Sequence, residues 1–120
     1  MRRDDVTRVL SLDGARLFDA GAFFEAHEAW EEHWRVEKDE VARRFLQGLI
    51  QIAAGFHKWT VMHDSASAAR LLDKGLAKLI VSADATAEAR LAPFKTRVRA
   101  CAAALSLGHL DVATIPKLGA

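Results

Sequence analysis

A lone cysteine, two prolines and seven glycines in 120 residues set the first limits on this chain. One thiol cannot close an intramolecular disulfide, so the fold rests on packing alone, and a reducing compartment suits it. That thiol, Cys101, lies in the apolar-rich run Val98 to Leu107 and reads as a core residue. Long apolar runs are missing too: no segment approaches the roughly eighteen residues that a membrane span needs. The charged start Met1-Arg2-Arg3-Asp4-Asp5 leads into no unbroken apolar stretch, because Arg8, Ser11, Asp13 and Arg16 interrupt it, so no secretory leader is expected. Neither sign of charge dominates. Seventeen basic and sixteen acidic residues leave a formal charge of +1, too little to draw the chain to nucleic acid or to an anionic membrane. The expectation is a cytoplasmic protein with neither as a partner.

What is present is the balance of a globular domain, 51% hydrophobic and 28% charged, which packs a core and does not stay disordered. The length suits a single domain, residues 1–120, with 109–120 as an irregular tail that packs across the surface or stays mobile. Alanine, leucine, glutamate and arginine dominate up to residue 92, where proline is absent and glycine scarce, and this favours helix over strand.

Turn signals divide the chain into about five helices. Apolar residues from Val6 to Phe18 mark the first, over Val6 to Ala20, with a break foreseen at Ser11 or Gly14 and a stop at Gly21. The second, Ala22 to Trp34, has Phe23, Ala26, His27, Trp30 and Trp34 at offsets of zero, three, four, seven and eleven, which is one helical face. A polar loop follows, and its Asp39 is placed to cap the third helix, Glu40 to Met62. That helix is apolar on most of its circumference and so belongs at the centre of the fold. Its exception is a stripe of Gln47, Gln51, Ala54, Gly55 and Lys58. Gly48 and Gly55 cost about 1 kcal/mol each relative to alanine in a helix interior, so a neighbouring helix must approach closely there. His63-Asp64-Ser65 is a turn, and Ala66 to Ser82 is the fourth helix. The fifth starts at Asp84 to Thr86 and runs to Leu105, with Pro93 marking a break or a kink. Its basic run Lys95, Arg97, Arg99 reads as a solvated face.

Gly21-Ala22-Phe23-Phe24-Glu25-Ala26 followed by Trp30 has the pattern of a tetratricopeptide hairpin entry, and His63 to Ala68 followed by Leu72 repeats it weakly some 42 residues on. That interval exceeds the usual period of about 34, which suggests two related hairpins plus a C-terminal helix and not a repeat array.

The segments Leu17-Phe18-Asp19-Ala20-Gly21-Ala22-Phe23-Phe24-Glu25-Ala26-His27-Glu28-Ala29-Trp30-Glu31-Glu32-His33-Trp34-Arg35 and Phe45-Leu46-Gln47-Gly48-Leu49-Ile50-Gln51-Ile52-Ala53-Ala54-Gly55-Phe56-His57 carry a resemblance. They resemble the signature of the domain-of-unknown-function family numbered 309, over residues 12 to 82. The resemblance implies a small all-helical bundle with tetratricopeptide-like hairpins and brings no activity, substrate or cofactor with it.

Chemistry must therefore be sought among side chains. With Phe23 at the centre of the core stripe, His27 lies about 40° round the second helix and Glu31 about 80°, so both border the interior, while Glu28 lies further out. Four residues apart, His27 and Glu31 are close enough to interact. If the third helix offers Gln47 and Gln51 to that side, an imidazole, a carboxylate and two amides meet in one seam. His57 lies about 80° from Gln47 and is expected to face elsewhere.

The plainest reading of the seam is a satisfied polar network that sets packing register. A binding or scaffolding module would use His27, Glu28, Glu31, Trp34, Gln47, Gln51 and His57 as ligand contacts, or Trp34, Trp59 and Phe94 as anchors for a partner chain or a second copy in a homodimer. The alternative is a metal site on His27 and Glu31, or a hydrolytic centre pairing His27 with Glu28 or Glu31 beside Phe24, Trp30, Trp34 and Trp59. His-Glu-Ala-Trp-Glu at 27–31 lacks the second histidine of the zinc-protease pattern. No nucleophile or phosphate-binding glycine loop stands out, and no cofactor is clearly implied.

Overall fold

The computed structural model describes residues 3–80 and 85–119, and among them the chain is all-α with no strand. The helices are α1 (Arg3–Leu10), α2 (Asp13–Asp19), α3 (Phe23–Val36), α4 (Glu40–Thr60), α5 (Ser65–Lys78) and α6 (Ala85–Ser106), followed by a single 3-10 turn, Val112–Thr114. The first expected helix is thus two. Ser11 Oγ donates to the Arg8 carbonyl at 2.7 Å to close α1, and Leu12, in extended conformation, turns the chain into α2. At the far end of α2, Gly21 takes φ of +81°. Its N–H donates to the Phe18 carbonyl and that of Ala22 to Leu17, each at 2.9 Å, the paired bonds of a Schellman closure that glycine adopts without strain.

The two central helices start on aspartate caps. Asp39 accepts from the Ala42 N–H at 3.2 Å and Asp64 from the Ser67 N–H at 3.0 Å, which satisfies donors that no helical carbonyl can reach. The predicted apolar stripe of α3 is buried at Phe23, Ala26 and Trp30. Between α4 and α5 the backbones nearly touch. A Cβ on Gly48 would lie 2.8 Å from the Gly75 carbonyl, and one on Gly55 3.1 Å from the Ala68 carbonyl; this is the close approach that the α4 glycines foretell.

The break expected at Pro93 and the solvated position expected of Lys95 are not found. α6 passes through Pro93 as one continuous helix; Pro93 removes one N–H, but Pro93 and Ala89 both lie on the exposed side, where water can take the freed carbonyl. Lys95 is not part of a solvated face, although Arg97 and Arg99 are exposed. Lys95 is buried, and its ammonium donates to the Leu79 carbonyl at 3.0 Å and to Glu88 Oε1 at 3.1 Å. Leu79 closes α5, so the ammonium satisfies a carbonyl left open at a helix C-terminus. The fourth helix stops short of the expected Ser82: α5 ends at Lys78 and Leu79 leaves helical conformation as its cap, while the expected helix start at Asp84 lies outside the described residues.

The C-terminal segment packs. Leu110, Pro116 and Leu118 are buried. Asp19 accepts from the N–H groups of Leu118 at 2.6 Å and Gly119 at 2.9 Å, while Arg90 donates to the Leu118 carbonyl at 2.6 Å. Asp19→Ala is expected to free this segment, speeding hydrogen exchange at Leu118 by roughly tenfold or more, since a hydrogen bond to a charged group is worth about 1.5–3 kcal/mol. Mass-spectrometric exchange on the C-terminal peptide measures it, and unaltered exchange would remove the clasp from the account.

Candidate functional site

Two ring contacts set the register of α3 against α4. Phe24 meets His57 at 5.4 Å between centroids, and Trp34 lies under the Arg43 guanidinium, 4.1 Å from the ring centroid. Residue numbers rise along α3 as they fall along α4, so the helices are antiparallel and share a face running from Phe24 to Trp34.

At one end of that face Phe24 is 48% exposed. Its ring lies nearly parallel to the His27 imidazole, at 12° and 6.3 Å, and also meets the His57 ring. His57 is therefore turned toward α3, the helix of His27. His27 Nδ1 is itself buried and makes no hydrogen bond; Glu31 Oε2 stands 3.6 Å away, an ion-pair distance too long for a hydrogen bond. The other oxygen of Glu31 is 3.5 Å from Arg35. Glu31 thus lies between an imidazole and a guanidinium, and Glu28, one turn back, is exposed.

The amide stripe parts company with these residues. Gln51 accepts from the Lys78 ammonium at 2.6 Å, so it serves the α4–α5 contact. Gln47 is half-buried and lines a cavity of about 520 Å³ with Trp34, Val41, Arg43, Arg44 and Ile80. The single seam of His27, Glu31, Gln47 and Gln51 is divided three ways. Among the described residues, no three His, Cys, Asp or Glu side chains are grouped to hold a metal ion.

The tryptophans sort by burial. Trp59 and Phe94 are buried and so present no anchor to a partner; the Trp59 indole N–H donates to the Leu110 carbonyl at 3.0 Å. Trp30 is fully buried, with Gly14 against its indole. Trp34 alone of the three is half-buried. Burial also pushes the Cys101 thiol up, against a weaker opposing effect of the Thr114 side chain, which lowers its thiolate fraction.

Arg43, Arg44, Val41, Ile80 and Lys78 were not singled out in the sequence. One signal was there: Arg43 precedes Gln47 by four residues and so shares its side of the helix. Lys78 is held below the ordinary lysine range, first by burial and then by the nearby charges of Arg44 and Lys74. Arg44, Lys74 and Lys78 thus lie close enough to feel one another, and Glu40 lines the same cavity as Arg44.

The model of a domain of unknown function, DUF309, matches residues 12–71, which is 60 of the 120 residues. The chain belongs to the DUF309 family. The family match takes in α2, α3, α4 and the first half of α5, and with them the face from Phe24 to Trp34 and its α4 partners Arg43, Gln47 and His57. Lys78, Ile80 and α6 lie beyond it. No curated protein and no solved structure matches this DUF309 chain. No helix among its described residues is long and apolar enough to cross a membrane.

Proposed function

We propose that this protein is a cytoplasmic binding module whose ligand or partner engages the Phe24 end of the α3–α4 face. The observation that carries the reading is Phe24 itself, nearly half exposed and in ring contact with two half-buried imidazoles, those of His27 and His57. An exposed ring offers apolar contact area and the half-buried imidazoles of His27 and His57 beside it offer polar groups, the combination that small-molecule and peptide sites use. The α2–α3 and α4–α5 pairs form the scaffold that holds both helices of the face.

A fragment screen followed by two-dimensional NMR is expected to give hits whose shift changes centre on Phe24, His27 and His57. Phe24→Ser should abolish them at a stability cost of about 1–2 kcal/mol, for the half of the ring that is buried and the poorer helix propensity of serine, which leaves the domain folded. Hits that ignore these three residues would sink the reading.

A second reading, acid–base chemistry by His27 with Glu31, is favoured by their 3.6 Å approach. Turnover of an ester or amide panel that His27→Ala abolishes would support it. Zinc uptake in equilibrium dialysis, lost in the same variant, would support a metal on this pair.

A further inference from the structure

The cavity at the opposite end of the α3–α4 face has a different character. We propose that it binds a small organic anion, a carboxylate or phosphate group carried on an apolar body. This inference is independent of the Phe24 end.

The cavity is an open groove of about 520 Å³, wide enough to take a small molecule. Arg43 has its planar face committed to Trp34, which leaves the N–H groups along its edge to point elsewhere. A guanidinium held in that way presents a rigid fork to a carboxylate or phosphate. Arg44, beside it in the wall, is exposed and has no carboxylate at ion-pair distance among the described residues. Glu40 also lines the cavity, yet pairs with neither arginine. Near Arg44, the Lys78 ammonium is held below the ordinary lysine range first by burial and then by the charges of Arg44 and Lys74. An anion against the two arginines would offset their charge, and the Gln47 amide adds a neutral donor.

The rest of the wall selects for more than a bare ion. Val41 and Ile80 are 44% and 52% exposed and bracket the cavity with aliphatic surface that an apolar body would cover. A nucleic acid would need a far broader basic surface than a chain of charge +1 provides.

Phenyl phosphate is the probe, titrated into the full chain by calorimetry, with NMR shifts to locate it. Saturable binding centred on Trp34 and Gln47, weakened about tenfold or more by Arg44→Gln, is the expected result. Arg44 is exposed, so that variant should keep the wild-type melting curve; the conservative Arg44→Lys is expected to recover part of the affinity. Phe24→Ser should bind as wild type does, which keeps this test separate from that of the Phe24 end. Three outcomes would each overturn the proposal: no saturable binding, equal binding of neutral benzamide, or full affinity in Arg44→Gln. Inorganic phosphate binding as tightly as phenyl phosphate would overturn the apolar half of it.

Discussion

Replacing Gly75 with alanine is expected to destabilise the domain by about 2 kcal/mol, although alanine is the better helix former by about 1 kcal/mol. For a chain of this length such a loss lowers the melting temperature by roughly 8 °C. The cause is the crossing of α5 over α4. A Cβ at position 75 would lie 2.6 Å from the Gly48 carbonyl oxygen and 2.6 Å from Ile52 Cγ1, with the Ile52 amide nitrogen at 3.1 Å. Two of the three obstacles are backbone and the third belongs to a fully buried side chain, so no rotamer change clears the space. The helices must separate, and the packing between Leu72, Leu79 and the apolar side of α4 loosens with them. Gly48→Ala meets the same obstacle from the other side, with the Gly75 carbonyl at 2.8 Å. The double variant should therefore cost less than the sum of the singles, because one separation admits both methyl groups. Thermal and urea denaturation of the three variants measure this. A Gly75→Ala protein that melts at or above wild type would show that the helices have room to spare.

The glycines of α4 announced that contact in advance, because a helix interior tolerates glycine at a cost only when something close by needs the space. The period of α3 was equally legible: offsets of zero, three and seven name the buried residues Phe23, Ala26 and Trp30, and the same geometry brings His27 and Glu31 to the border of the interior. Periodicity gives an angle about one axis, however, and not the identity of the neighbour at that angle. Gln47 and Gln51 do share a stripe, yet Gln51 answers to Lys78 on α5 while Gln47 opens onto the Trp34 cavity. The same blindness hid His57, whose place opposite Phe24 depends on how α3 and α4 slide past each other. Lys95 is a case of a different kind. Its burial follows from a carbonyl sixteen residues earlier that needs a donor, a demand that no local pattern around Lys95 records. The Asp19 clasp, closing over a hundred residues of chain, is less visible still.

Phe18→Ala should be the most damaging of these substitutions, with a loss of about 3–5 kcal/mol. Phe18 belongs to the short helix α2, but its ring is the meeting point of three others. Phe23 and Trp30 of α3 lie 5.1 and 5.9 Å away between centroids, Phe56 of α4 at 5.9 Å and Phe94 of α6 at 5.8 Å. Three of these four pairs, those with Phe23, Phe56 and Phe94, are edge-on, the arrangement that aromatic quadrupoles favour and that adds about 0.5–1.5 kcal/mol per pair beyond burial. Truncation to alanine removes these contacts at once and leaves a cavity whose walls come from three separate helices, each held elsewhere, so the walls cannot close on it easily. Domains of this size are stable by only about 5–15 kcal/mol, and a drop of some 12–20 °C in melting temperature follows. Phe18→Leu keeps most of the volume and should cost less than half as much. The ordering is the critical result. If alanine and leucine at position 18 melt within a few degrees of each other and of wild type, α2 is an appendage to the bundle. If they separate widely, α2 supplies the central ring on which α3, α4 and α6 are assembled, and the α3–α4 face holds its shape because of a residue that never reaches the surface.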